Sequence, residues 1–466
     1  MLKLFSRLDI FSKHEIYKYL VAAILLVVPL YPKFPFINIP GTFVSVRVED
    51  FIIAIASCFV AIKVYQNKRT FFRSRVNKSI LLFIAVGAVS LFSAIFITQT
   101  VSVHIGFLHW FRRIEYFIPF FLGFYALKDK SDLNFYLKSI MVVLVIIFIY
   151  GLGQRYLDWP IIATQNEEYS KGVALRYREG GHISSTFAGH YDLSTFLVLV
   201  LPIYIGLFVK KFRKFVLSTN ILLVVVILGG LWLIAVSGSR ISSISFLISS
   251  TIALLLMRKH KAIPLLIVVS LLVFSISPSL RARYLRLYKV TRDKIQTLVS
   301  YELDIAVMAA EGTSGLPQRR VVAEPTPTPI PLFEDRSTSI RLNVEWPRAI
   351  RSFMKNPLLG TGYSSISLAT DNDYLRMLGE VGLLGAFSFF LIIARILNQI
   401  LMRFPFRKYK GVELVFIAGI VGGFFGIFVN GAFIDVFEAS KFATIFWLMM
   451  GVLVKLLNNY EYEKNY

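Results

Sequence analysis

Long apolar runs recur along this 466-residue chain, and they constrain its fold more than any motif does. A helix of 18 or more apolar residues satisfies its own backbone hydrogen bonds and is long enough to cross a bilayer. About twelve such runs can be read, at 16–32, 43–62, 79–98, 107–127, 136–157, 184–209, 215–236, 240–257, 262–279, 373–402, 411–430 and 439–457. The chain is 56% hydrophobic and only 17% charged, where a soluble domain carries about 25% charge. The expectation is an all-α polytopic membrane protein with about twelve transmembrane helices, forming one integral membrane domain over 1–466. The basic, amphipathic start MLKLFSRLDIFSKHEIYKY leads into a run long enough to stay as the first span, so a cleavable signal peptide is not expected. The single cysteine, Cys58, excludes an intramolecular disulfide.

A net charge of +23 could suggest nucleic acid, but its distribution argues against that. Basic clusters fall in alternate loops: around Lys63 to Lys78, Lys128 and Lys130, Lys210 to Lys214, Arg258 to Lys261, and Arg403 to Lys410. The short loops between them are nearly free of Lys and Arg. That is the positive-inside pattern, which puts both termini on the cytoplasmic side of the cytoplasmic membrane and makes anionic lipid headgroups the natural partner.

Two of the loops on the other face are long, 158–183 and 280–372. The second opens on a basic amphipathic stretch and passes through EGTSGLPQRRVVAEPTPTPIPLFEDRS. Its Thr-Pro repeats favour an extended, flexible segment at 311–336. A helical pattern returns in TSIRLNVEWPRAIRSFMKNPLLGTGYSS and closes at Gly360 and Gly362. A large loop with helices of its own suggests work on the extracytoplasmic face, although an inert insertion would look the same.

Ionisable residues at the ends of spans are costly and mark function more often than elsewhere. Arg240, in SGSRISSISFL, stands where small neighbours let a ligand approach, and a guanidinium there could grip a phosphate bidentately or simply snorkel to the interface. Arg112 and Arg113, in HWFRRIEYF, are either a second phosphate clamp or ion-pair partners of Glu115. His182 and Asp192 lie in GGHISSTFAGHYDLSTF, with His190 between them; no H-E-x-x-H spacing accompanies them, and no metal site is expected. Arg341 and Trp346 sit on the loop helix. Asp371 and Asp373 flank Asn372 in DNDYLRMLGEVGLLGAF, where acids either cap a helix N-terminus or serve as an acceptor-binding carboxylate. There is no G-x-x-x-x-G-K-S/T and no G-x-S-x-G, so ATP hydrolysis and serine hydrolysis find no support, and no Asp-rich cluster suggests a Mg²⁺-dependent sugar-nucleotide site.

Taken in order, these stretches resemble the O-antigen ligase and polymerase superfamily over about 180–395. The family's late helix reads His-Asn, nine residues, then Gly-x-x-Gly. Here Asn372 is followed by nine residues, then Gly382 and Gly385, with Asp371 in the place of the histidine. RLNVEWPRAIRSFMKNPLLGTGYSS is similar to the family's Arg…Trp…Pro-x-x-Gly-x-Gly stretch, and SGSRISSISFL to its Ser-Arg-small helix, whose arginine is associated with lipid pyrophosphate. HISSTF is similar to the family's Arg-x-Ser-Gly-Thr-Phe, with His182 for the arginine and Ser185 for the glycine. The resemblance implies a GT-C-like fold and a lipid-linked-oligosaccharide-dependent glycosyltransferase. Such an enzyme uses an undecaprenyl-pyrophosphate-linked glycan as donor, a glycan or lipid core as acceptor, and no cofactor. It implies catalytic roles for Asp371 and Arg240, and pyrophosphate or acceptor binding by Arg112, Arg113, His182, Asp192, Arg341 and Asn372. Ligase, polymerase and protein glycosyltransferase remain open. The rival class is a transporter or flippase of lipid-linked sugars, which would carry internal repeats and midplane charges.

Overall fold

The structure is a computed structural model. It describes residues 14–32, 34, 36–38, 45–162, 174–178, 181–211, 217–278, 280–286, 288–289, 292, 296, 336–367 and 369–462. The Thr-Pro segment at 311–335 lies outside the described residues, as does most of the long loop before it.

The described residues are helical nearly throughout. The helices are α1 (His14–Leu30), α2 (Val48–Gln66), α3 (Lys68–Arg73), α4 (Arg75–Phe96), α5 (Val103–Ala126), α6 (Lys130–Tyr156), α7 (His190–Lys211), α8 (Leu217–Ser237), α9 (Arg240–Leu256), α10 (Ile263–Ser275), α11 (Arg336–Ile340), α12 (Trp346–Lys355), α13 (Asp373–Arg403), α14 (Gly411–Gly431) and α15 (Ser440–Tyr462). Two short antiparallel hairpins cover loop turns, pairing Ile37–Asn38 with Ser45–Val46 and Ile161–Ile162 with Ala174–Leu175.

A helix stands at each of the twelve places where an apolar run predicts one, but seven among the described residues are long and apolar enough to cross a membrane. These are α4, α6, α7, α8, α13, α14 and α15; the bent pair His260–Ser275 and Leu280–Arg286 would make eight. The count of about twelve is therefore not reached, for physical reasons. Helices α1 and α9 have 17 residues each and α10 has 13. Helix α2 carries Glu49, Asp50 and Lys63, and α5 carries Arg112, Arg113 and Glu115.

Helices α15 and α7 form the centre, with 94% and 83% of their apolar windows buried against 44% for α4, α6 and α8. Helix α15 packs on α5, and α14 packs on both α7 and α9. The α9–α14 seam is built from small residues: Gly422 and Gly426 lie against Ser245, Ser249 and Ala253 so closely that a Cβ on either glycine would overlap them. Backbones approach this way where close packing, rather than side-chain bulk, joins membrane helices.

The polar ends of the helices converge. Buried Lys441, at the start of α15, donates to the carbonyls of Pro29, Tyr31 and Thr186, tying the end of α1 to the turn before α7. At the opposite end Lys130 pairs with Glu413, and His14 with Asp132 at 2.7 Å.

Candidate functional site

Helix α13 begins where the chain turns back from the loop helix. Asn372 is its N-cap: its Oδ1 accepts from the backbone N–H groups of Tyr374 and Leu375, both at 3.0 Å. Its own amide donates to the Ala432 carbonyl. The neighbouring acids do different work. Asp373 is buried and accepts from the N–H groups of Val436 and Phe437, so it fixes the 431–440 turn rather than the helix dipole. Asp371 has φ +49°, a left-handed conformation that Asp tolerates better than most residues, and this aims its carboxylate away from the helix.

That carboxylate meets Arg341. Both Nε (3.1 Å) and Nη2 (2.7 Å) of Arg341 donate to Asp371 Oδ2. Arg341 opens a π-helical turn, Arg341–Glu345, set between α11 and α12 and closed by the Trp346 N–H on the Arg341 carbonyl. Such turns are rare and concentrate at functional sites. Burial works against the Arg341 charge, but Asp371 and a hydrogen bond to Tyr191 outweigh it and raise its pKa. Burial raises the Asp371 pKa; Arg341 lowers it, Asp435 raises it, and the net shift is upward.

Tyr191 connects this pair to the other sequence candidates. Its ring lies 4.1 Å from His190, whose ring lies 4.4 Å from His182. His182 Nε2 is 2.6 Å from Arg283 Nη2. Burial, with Arg283 beside it, lowers the His182 pKa to about 4, so near neutral pH the imidazole is uncharged and Nε2 accepts. Arg283 also donates to the Gly238 carbonyl, and its own carbonyl accepts from Arg240 Nη1 at 3.3 Å. Arg240 therefore stands at the N-terminus of α9, capped by Ser239, one contact from Arg283. Arg240, His182, Arg341, Asp371 and Asn372 are joined by one continuous run of contacts, and Asp192 lies buried in the first turn of α7 beside Tyr191.

The paired arginines of α5 are placed elsewhere. Arg112 is held by Asp50 (2.6 Å), Glu115 (3.0 Å) and the Ser45 carbonyl. Arg113 is held by Glu438 and the Phe437 carbonyl, with Glu380 at 3.9 Å. Arg113 reaches the Asp371 turn only indirectly. Glu438 and Glu380 also face Arg376, which binds Asp435 at 3.0 Å, and Asp435 accepts from the backbone N–H groups of Thr370 and Asn372. Arg113 and Arg376 outweigh burial and hold Glu438 well below the usual carboxylate range. Arg113, Glu380 and Glu438 of this network also line a cavity of ≈ 50 Å³, together with Asp373, Tyr363 and apolar residues including Phe389 and Trp447.

The α13 glycines receive a turn of the same chain. Helix α13 breaks at Gly382, with φ +64° and ψ −169°. Into the break fits the stretch 357–362: Leu383 and Leu384 donate to the Pro357 and Leu358 carbonyls, and Thr361 and Gly362 donate to those of Gly379 and Glu380. A Cβ at Gly382 would overlap the Leu358 carbonyl and the Gly360 amide, and one at Gly360 would overlap the Glu380 backbone. The Gly360/Gly362 stretch and the Gly382/Gly385 stretch, separate in sequence, are thus one docked unit that sets the position of Asp371.

Residues 223–390 match the family model described as O-Antigen ligase. That match supports, over this part of the chain, the likeness to the O-antigen ligase and polymerase superfamily. A comparison with curated proteins finds no match. The matched O-antigen ligase region holds Arg240, Arg341, Asp371 and Asn372, and it points to glycan transfer in a membrane. Sequence reasoning missed Arg283, Tyr191, Glu345, Arg376 and Asp435. Two carboxylates in the Lys- and Arg-free loop FIDVFEAS, Asp435 and Glu438, were the available signal for the last group.

Proposed function

We propose that this protein transfers a glycan from an undecaprenyl-pyrophosphate carrier to an acceptor hydroxyl on the outer face of the cytoplasmic membrane, as a surface-polysaccharide ligase or polymerase. The observation that carries the reading is the Arg341–Asp371 pair, set on a π-turn against a helix N-cap inside the family-matched region and joined through Tyr191, His190, His182 and Arg283 to Arg240. The pyrophosphate is the leaving group. Arg240 at the N-terminus of α9, with Arg283 beside it, neutralises the charge that develops on it, which is electrostatic stabilisation of the transition state. Asp371, in the place of the ligase histidine, orients the acceptor, and attack from the face opposite the pyrophosphate inverts the anomeric carbon. Arg341 holds Asp371 in place. Charge neutralisation by arginines needs no metal, so transfer proceeds in EDTA. Arg112 and Arg113, already held by carboxylates, shape the bundle beneath the site. The basic loops face the cytoplasm, with both termini on that side.

Arg240 and Asn372 stand at the starts of α9 and α13, with Asp371 just before α13, rather than in helix middles, which supports transfer over transport of the lipid-linked sugar. Arg240→Ala should abolish transfer while the protein stays folded by size-exclusion chromatography; undiminished transfer would remove Arg240 from the mechanism.

A further inference from the structure

The end of the π-turn that presents Arg341, with the first turn of α12, carries polar atoms to which the reading above gives no work. Among the described residues, Glu345 Oε2, Trp346 Nε1 and Arg348 Nη1 are buried without a hydrogen-bond partner. They belong to residues within one turn of the chain, and Arg348 lies close enough to act on the Glu345 carboxyl. Three such orphans together are costly unless something polar meets them. A hydroxyl-rich ring suits them: it can accept from the indole and the guanidinium while donating one hydroxyl to the carboxylate. The Trp346 ring, near Phe433 at 6.4 Å between centroids, adds an apolar wall of the kind that sugar rings pack against.

We propose that Glu345 is the general base of the transfer and that Glu345, Trp346 and Arg348 bind the acceptor sugar. The proposal rests on the glycan-transfer reading. Asp371 is bound by Arg341 through two hydrogen bonds to Oδ2, which holds it as a charged, positioning carboxylate, whereas no arginine hydrogen bond reaches Glu345 Oε2. In the step, the acceptor hydroxyl oxygen attacks the anomeric carbon and forms the new C–O bond. The bond from that carbon to the pyrophosphate oxygen breaks, and its electron pair leaves with the carrier. The hydroxyl proton passes to the Glu345 carboxylate, which later gives it to water. The charged groups that face Glu345 are Asp371 and Asp435 across from it and Arg341 and Arg348 on its own segment. Burial raises Glu345, the two aspartates raise it further, the arginines oppose them, and the carboxyl settles at about 7. That suits a base working near neutral pH.

The test uses the full chain in proteoliposomes with an undecaprenyl-pyrophosphate oligosaccharide as donor. A second copy of that lipid and a free lipid-core oligosaccharide serve as acceptors, and carrier release is followed from pH 5.5 to 9. Wild type should gain kcat as pH rises through about 7 and then level off. Glu345→Gln should lose about 10²-fold or more in kcat, with KM for the donor little changed, and should lose the rising limb. Glu345→Asp should recover part of the rate, which a fold defect in the glutamine variant would not predict. A Glu345→Gln enzyme with wild-type kcat and an intact rising limb would overturn the base assignment while leaving glycan transfer in place. Absence of carrier release by wild type with either acceptor would overturn both.

Discussion

At the scale of single residues the account turns on which polar group touches which. Arg341 and Asp371 share two hydrogen bonds from a planar guanidinium, a geometry lysine cannot copy. Arg341→Lys should therefore lose at least one charge-assisted bond, about 1.5–3 kcal/mol, and reduce kcat/KM by about 10–150-fold. Steady-state kinetics on the lipid-linked donor would measure it. His182 offers a test in pH. Its folded pKa is about 4 and the free side chain's is 6.5, so the unfolded chain binds the proton first as pH falls. Stability is lost from about pH 6.5 downward and the loss levels off near 4. Thermal melts between pH 7.5 and 4 should show wild type losing more than His182→Gln. Arg240, Asp371, Arg341 and Asn372 could be named from sequence because their local surroundings are unusual: an arginine at a small-residue helix start, acids at a helix start. Arg283 and Glu345 could not be named in this way, and for Asp435 the acids of FIDVFEAS mark the loop but not its partner. Asp435 acts on Asn372 from 63 positions away, and no local pattern carries such a pairing. Arg112 shows the converse: an arginine near a span end that the fold pairs with Asp50.

At the scale of elements, the broken helix α13 sets the site. The spacing from Asn372 to Gly382 and Gly385 is legible in the sequence, and so is the Gly360-x-Gly362 turn. Their mutual docking is not, because it depends on backbone hydrogen bonds between segments that only the fold brings together. The glycines suggest close packing by a neighbouring helix or a lipid chain, and the actual neighbour of Gly379 and Gly382 is the chain's own 357–362 turn and the α12 segment before it. Gly382→Ala should cost about 1–3 kcal/mol from the left-handed backbone alone, and more because its Cβ meets the Leu358 carbonyl. The expected result is a lower melting temperature together with lost transfer, since the turn that seats Asp371 shifts. Gly411 also has positive φ but no neighbour within 4 Å of a Cβ, so Gly411→Ala should cost only the backbone strain and leave transfer intact.

For the whole molecule, the apolar runs predict where helices stand. They do not decide how many cross, because α2 and α5 carry charges that the fold uses in ion pairs. Arg376 shows how much rests on such pairing: it faces Asp435, Glu380 and Glu438 within 3.6 Å and lies almost fully inside the bundle. Arg376→Ala should destabilise the protein by up to about 3 kcal/mol, because buried Glu380 and half-buried Asp435 and Glu438 lose a shared cation while Arg113 still faces Glu380 and Glu438. Urea or thermal denaturation in detergent would read that loss. The central claim is that the polar end of this bundle transfers a glycan from a lipid pyrophosphate. The most direct measurement is mass spectrometry of all lipid-linked products in EDTA-treated proteoliposomes holding wild type and an undecaprenyl-pyrophosphate oligosaccharide, with and without a separate acceptor. The account predicts free undecaprenyl pyrophosphate and one new glycosidic bond per carrier released. Intact donor that has merely moved from one leaflet to the other would contradict it.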